Sequence, residues 1–359
     1  MSKKFITFVE QMNEDRKNRF KELLSVPSKT YQEEMMVDYI CQELDKIEGV
    51  SYYRDEMLNI YATKGVLDEG EHYPMFMAHT DTVHSLVNEI VVVETKRSKP
   101  NTFGMKFDDT EYDVLEGNTT DGLPTGIGGD DKCGVFICLE LLKDLPKLKV
   151  GFFVSEETGC HGSSKCDPHF LSDIGYAIQY DAPGDGLITE ICSGINLFDT
   201  NGDFIERTLP IFEEVMGVKP LRQSHPYTDV SQIKKKTDVS CINFSCGYYN
   251  MHRPEEFIVL DDVDRAYELG LRMVEEFGYN KSVFEYQIPN YTNFFSTPMA
   301  KDDLGVETES GLIYDGVSIK MTEDFDGVIF EDKFYGTEIF VDDEELEHLF
   351  EYLKNKYAY

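Results

Sequence analysis

Basic residues are scarce in this chain of 359 residues: 34 Lys and Arg stand against 68 Asp and Glu, a formal net charge of -34. So acidic a surface repels a phosphate backbone or an anionic bilayer, so neither nucleic acid nor a membrane is an expected partner. Long apolar runs are missing as well, none approaching the roughly 20 residues of a membrane span. The opening Met1-Ser-Lys-Lys-Phe-Ile-Thr-Phe-Val-Glu10 holds an apolar run too short for a secretory signal, and the cytoplasm is the expected compartment. None of the eight cysteines forms a C-x-x-C pair, and several sit inside apolar runs, as free thiols do in a reducing compartment. No internal repeat or low-complexity tract is present. With 41% hydrophobic and 13% aromatic residues, the acidity belongs to the surface of a packed protein rather than to a disordered chain.

The length allows a large α/β core with an appendage. Thr30-x-x-Glu33 reads as a capping box opening a helix with Met36, Tyr39, Ile40, Leu44 and Ile47 at helical spacing. Met75–Ala78, Val150–Val154, Tyr176–Gln179 and Val239–Phe244 are short continuous apolar runs, the pattern of strands buried on both faces. Gly134–Leu142 reads as a helix on that sheet, and Asp261 or Asp262 as the cap of a long helix that closes the core near residue 278. Residues 85 to 125 look like a hairpin-bearing insertion with turns at Pro100-Asn101 and Glu116-Gly117-Asn118. The expected organisation is a core of residues 1–278 and an acidic accessory region of residues 279–359, with strands near Leu312–Ile319 and Gly327–Phe334 and a helix from Asp342.

Five short segments carry acids and histidines: His79-Thr-Asp81, Asp130-Asp131-Lys132, Glu156-Glu157, Tyr180-Asp181 and Asn250-Met-His252. Singly, each has an ordinary explanation. His79-x-Asp81 is a polar turn, Asp130-Asp131 after two glycines a helix N-cap, Glu156-Glu157 a pair of surface charges, and Asp181 and His252 are loop residues. Together they put imidazoles and carboxylates where strands should end, and open α/β sheets bind ligands there. Neutral imidazole and carboxylate are donors that Zn²⁺ and similar ions accept. His79 can bind through one ring nitrogen while Asp81 orients it, and one of two adjacent glutamates can bind metal while the other takes a proton. Asp199-Thr-Asn-Gly-Asp203 lacks the glycine and glutamate positions of an EF-hand and is a turn.

In order, His79-Thr-Asp-Thr-Val83, Gly128-Gly-Asp-Asp-Lys-Cys-Gly134, Ser155-Glu-Glu-Thr-Gly159, Tyr180-Asp181 and Tyr248-Tyr-Asn-Met-His252 with Glu255-Glu-Phe257 resemble the motif blocks of the co-catalytic zinc peptidases. That group includes tripeptidase T-like enzymes, aminoacylases and related lid-less aminopeptidases. The resemblance covers residues 18 to 278. It implies a three-layer α/β/α fold with a mixed, mostly parallel central sheet; the small C-terminal α+β accessory region has no counterpart in it. It implies that Asp130 bridges two Zn²⁺ ions (Co²⁺ or Mn²⁺ being the alternatives), that His79 and Asp181 complete one site, and that Glu157 and His252 complete the other. Asp185 lies close to Asp181 as a rival ligand. Glu156 becomes the catalytic base, supported by Asp81, and the Asp130-Asp131 peptide is expected to be cis. Many members of the tripeptidase branch insert a lid and dimerisation domain after the fourth ligand. Its four strands and two helices need more than about 45 residues plus connections, which Ala182 to Tyr227 does not offer, so no full lid is expected. Tyr248 or Tyr249 is then a candidate for the oxyanion donor that a lid would bring.

Two cations with a glutamate base hydrolyse amides. The expected function is a zinc metallopeptidase of the aminopeptidase or tripeptidase kind acting on short peptides. An N-acyl amino-acid deacylase or carboxypeptidase on the same scaffold is the nearest alternative. A metal-stabilised interaction protein, with its acidic tail binding a basic partner, is the non-enzymatic one. Oligomeric state is left open by the sequence.

Overall fold

A computed structural model describes residues 12–84, 90–100 and 110–285, and four strands at 311–315, 319–324, 327–332 and 337–342. The chain divides into two units, Met1–Tyr286 and Gln287–Tyr359. The first contains, in order, α1 (Glu14–Ser25), α2 (Glu34–Leu44), β1 (Val50–Arg54), β2 (Ile60–Lys64), β3 (Tyr73–His79), β4 (Val91–Arg97), β5 (Tyr112–Asn118), β6 (Pro124–Thr125), α3 (Gly129–Asp144), β7 (Leu148–Phe153), α4 (His161–Ser164), β8 (Ile174–Ala182), β9 (Leu187–Cys192), β10 (Ile195–Asn196), α5 (Asp203–Met216), β11 (Leu221–His225), α6 (Asp229–Lys234), β12 (Cys241–Ser245), β13 (Tyr248–Tyr249), β14 (Phe257–Val259) and α7 (Leu260–Phe277).

A mixed sheet in the order β1-β2-β7-β3-β8-β12-β9-β10, with β11 beside β9, forms the middle layer. Its centre, β7-β3-β8-β12, is parallel, and antiparallel pairs flank it on both sides. The four apolar runs read from the sequence are these central strands, and each is buried along its whole length. Continuous apolarity is what a strand covered on both faces requires. Here α3 packs on β3 and β8 and against α1 and α7, while α6 packs on β8 and β12 and against α4. Gly270 lets α7 approach α3, since a Cβ there would stand 2.9 Å from Leu141 Cδ1. Residues 182–228 do not leave the core as a separate lid, because β9 and β11 belong to the main sheet and α5 packs on α7.

Several local expectations are overturned. Thr30 and Glu33 form no capping box: Glu33 is the N-cap of α2 without a side-chain bond, and both side chains are engaged elsewhere. Neither Asp261 nor Asp262 caps α7, whose N-cap is Val259. Asp262 instead accepts from Lys99 Nζ at 2.7 Å and from Tyr249 Oη at 2.7 Å. The insertion does hold a hairpin, β4 with β5, inside a second sheet β13-β14-β5-β4 with β6 beside β5. Glu116-Gly117 lies within β5, however, and the turn that follows is at Thr119–Gly122. A Cβ at Gly117 would meet the Thr125 carbonyl at 2.8 Å, so the glycine serves strand approach. Asn101 lies outside the described residues.

The chain after α7 stays on the first unit as far as Phe284, through Ser282 N–H to the Gly175 carbonyl and Phe284 N–H to the Asp238 carbonyl. The division thus falls at Tyr286 rather than at residue 278. In the second unit β15 (Gly311–Asp315), β16 (Ile319–Asp324), β17 (Gly327–Asp332) and β18 (Thr337–Asp342) make an antiparallel sheet. The helix expected from Asp342 falls outside the described residues. All eight cysteines are free, and no helix among the described residues is long and apolar enough to cross a membrane.

Phe76, fully buried in β3 with its ring stacked on that of Tyr180 at 6.1 Å, anchors the parallel centre. Phe76→Ala is expected to lower stability by about 3–5 kcal/mol, and Val91→Thr on the exposed side of β4 by no more than about 0.5 kcal/mol, both read from the urea midpoint.

Candidate metal centre

The acidic and histidine segments meet at the carboxyl ends of the parallel strands. His79 is the last residue of β3, Asp181 sits near the end of β8, and Glu156 and Glu157 follow β7. Asp130 comes from the start of α3 and His252 from the loop after β13. Backbone conformation aims these groups. Gly128 is left-handed, Asp130 and Asp131 depart from helical angles, and the peptide between them is cis. Ser155, Cys160, Asn250 and His252 all have φ between +55° and +63°. Such residues persist only where surroundings over-determine them.

Asp130 stands between the two histidines. Its Oδ1 lies 2.9 Å from His79 Nε2, and its Oδ2 3.2 Å from His252 Nε2. Asp181 Oδ1 is 3.6 Å from His79 Nε2, and Glu157 Oε2 is 3.2 Å from His252 Nε2. Donor atoms of His79, Asp130 and Glu157 lie within 4.8 Å of one another, as do those of His79, Asp131 and Asp181. Asp131 is nevertheless a framework residue: its Oδ2 accepts the His79 N–H at 3.2 Å and its Oδ1 the Gly134 N–H at 3.0 Å. Asp185 is drawn away too, pairing with Lys99 Nζ at 2.8 Å.

Each inward-facing group is held from behind. His79 Nδ1 donates to the Asp81 carbonyl at 3.0 Å, which turns Nε2 inward. The Asp81 carboxylate accepts the N–H groups of Glu156 (2.9 Å) and Glu157 (3.2 Å) and the Thr30 hydroxyl (2.9 Å). Glu33 accepts from the Ser155 N–H and hydroxyl at 3.0 and 3.1 Å. Asn243 clasps the Asp181 backbone on both sides at 2.8 Å, while Gln179, Thr228 and Tyr248 donate to its carboxylate. Tyr248 thus borders the centre, whereas the Tyr249 hydroxyl is committed to Asp262. Thr30, Glu33, Gln179, Thr228 and Asn243 were not among the residues singled out for the site, because nothing in their local pattern marks them.

Negative charge is in excess. Burial works against a charged His79, but Asp181, Asp130 and Asp81 outweigh it and hold its pKa well above the ordinary value. Hydrogen bonds to Asp130 and Glu157 push His252 up to about 10. Burial raises the carboxyls of Glu156, Glu157 and Asp181. Buried Glu157 Oε1 has no hydrogen-bond partner.

Neither a protein-family model nor a curated protein matches the sequence. Solved structures do. Aminopeptidase PepT from Bacillus cereus ATCC 10987 aligns at 16% identity with a TM-score of 0.58, over 74% of this chain and 99% of its own. A tripeptidase from Staphylococcus aureus aligns at 14% and 0.53, over 74% and 99%. Aminopeptidase APDkam598 from the archaeon Desulfurococcus kamchatkensis aligns at 16% and 0.53, over 73% and 95%. This chain has the peptidase fold. At such identity the likeness speaks for architecture alone, and the chemistry must come from the residues.

The geometry separates two adjacent aspartates. In chelator-treated protein, Asp131→Ala is expected to cost about 2–4 kcal/mol, since it strands two buried N–H groups, while Asp130→Ala stays within about 1 kcal/mol of the parent. Urea unfolding of both variants makes the comparison.

Proposed function

We propose that this chain is a dinuclear metallohydrolase that cleaves amide bonds of short peptides, an exopeptidase of the aminopeptidase or tripeptidase kind. The observation that carries the reading is Asp130, whose two oxygens face two different histidines, each with a further carboxylate beside it. Two adjoining cation positions follow: His79, Asp130 and Asp181 at one, His252, Asp130 and Glu157 at the other. The donor set fits divalent cations of the zinc class, being carboxylate and imidazole, short of positive charge and left with an unpartnered buried oxygen on Glu157. Zn²⁺ is the proposed ion, with Co²⁺ and Mn²⁺ as the alternatives. Bound there, such ions supply Lewis acidity toward a carbonyl and acidify water.

Glu156 is the carboxylate left over. Its burial raises its proton affinity, and its N–H is fixed by Asp81. In this reading Glu156 takes a proton from the attacking water and passes it to the departing amine, and Asp81 keeps Glu156, Glu157 and His79 in place. The fold shared with an aminopeptidase and a tripeptidase supports the same reading. An N-acyl amino-acid deacylase remains the second reading on this scaffold; amine release from unblocked against N-acylated di- and tripeptides separates the two. The spare base weighs against a purely structural metal site in an interaction protein.

Glu156→Gln is expected to bind metal like the parent and to lose about 10²–10⁴-fold in kcat; retained turnover would remove Glu156 from the reaction. Metal uptake should also release protons. His252, raised to about 10, is charged at neutral pH and must shed its proton to donate a lone pair. Zinc affinity is therefore expected to rise with pH between about 6 and 9, and calorimetry in buffers of different ionisation heat measures the protons released.

A further inference from the structure

Glu256 lies four residues beyond His252 and is 1% exposed. Its two oxygens collect three N–H groups. Oε2 accepts from the Gly128 N–H at 2.8 Å and from His84 Nε2 at 2.8 Å, and Oε1 accepts from the Asp130 N–H at 3.2 Å. One carboxylate therefore ties together the segment after His79, the turn that carries Asp130 and the segment after His252. The packing is built around it. A Cβ at Gly129 would come within 3.3 Å of Glu256 Oε1 and 2.6 Å of Tyr248 Cβ, and one at Gly126 would fall 1.7 Å from the His84 ring. Both glycines are thus bare where the carboxylate and its imidazole partner press on the turn.

From this arrangement we propose that Glu256 is the positioning residue for Asp130, fixing from behind the backbone whose side chain divides its oxygens between His79 and His252. The role rests on the dinuclear reading, because only there does a shift of Asp130 disturb two cations at once. A carboxylate is needed rather than a neutral amide. An ionised Glu accepts at both oxygens, whereas Gln offers one oxygen and turns an NH₂ toward an N–H that cannot accept it. Loss of an outer partner of this kind typically weakens metal binding by about 10–100-fold.

The test compares Glu256→Gln with Glu140→Gln. Glu140 is equally buried and charge-paired, to Arg16 and Arg19, but sits ten residues along α3 from Asp130 and serves as the control for lost stability. Zinc titration of chelator-treated proteins is expected to show affinity about 10–100-fold weaker in E256Q and parental in E140Q. In the metal-free state, amide exchange in a peptide spanning residues 126–132 is expected to quicken in E256Q alone. Should E256Q fail to fold, His84→Ala removes only one of the three donors, and a smaller loss of zinc affinity is expected. Parental zinc affinity in E256Q, or in H84A where E256Q does not fold, overturns the positioning role, as does an equal loss in E140Q. Zinc refused by the parent chain as well overturns the dinuclear reading itself.

Discussion

Too many carboxylates are buried in one place, and the rest of the structure is arranged around that fact. Asp81, Asp130, Asp131, Asp181, Glu156, Asp229 and Glu256 are all nearly or fully inaccessible, and Glu157 is largely so. A buried charge is tolerated only with partners. The chain divides the burden. Asp81, Asp131 and Glu256 are each answered by backbone N–H groups, and they become the framework. Asp130, Asp181, Glu156 and Glu157 are left facing inward with two imidazoles among them. Four converging acids with two histidines are a donor set that divalent cations accept.

The parallel centre of the sheet makes the division possible. Strands β3, β7 and β8 run side by side in one direction, so their carboxyl ends deliver His79, the Glu156 turn and Asp181 to one edge. Left-handed residues then turn the chain sharply back, which frees backbone N–H groups to face the framework carboxylates. Ser155 shows the link directly: its positive φ follows β7, and its N–H is answered by Glu33 from the start of α2.

His79, Glu156, Glu157 and Asp181 stand at or just after the ends of apolar runs, and strand ends can be read from such runs; Asp130 follows two glycines and His252 a loop, and only the family resemblance joins them to the set. The framework was not legible in the sequence. Thr30 and Glu33 fit a local capping pattern, yet their partners, Asp81 and Ser155, are distant in sequence, and tertiary hydrogen bonds took precedence over the local ones. Asp262 illustrates the same competition: a helix cap by pattern, it pairs with Lys99 across the second sheet. Gly117 reads as a turn residue but serves a close strand approach. Local pattern reports on neighbours within a few residues, and these partners come from other elements. The same limit hid Glu256, visible only as a glutamate in the segment after His252.

The two ends of the centre are not equivalent. His79 is 1% exposed at its side chain, its backbone N–H is held by Asp131 and its outer nitrogen by the Asp81 carbonyl. His252 is 42% exposed, stands on a left-handed backbone and meets Asp130 and Glu157 from a loop. Residues 182–228, built into the main sheet, place no inserted domain over this side. Rigidity at one end and access at the other follow from topology, since a strand end is fixed by its neighbours and a loop residue is not.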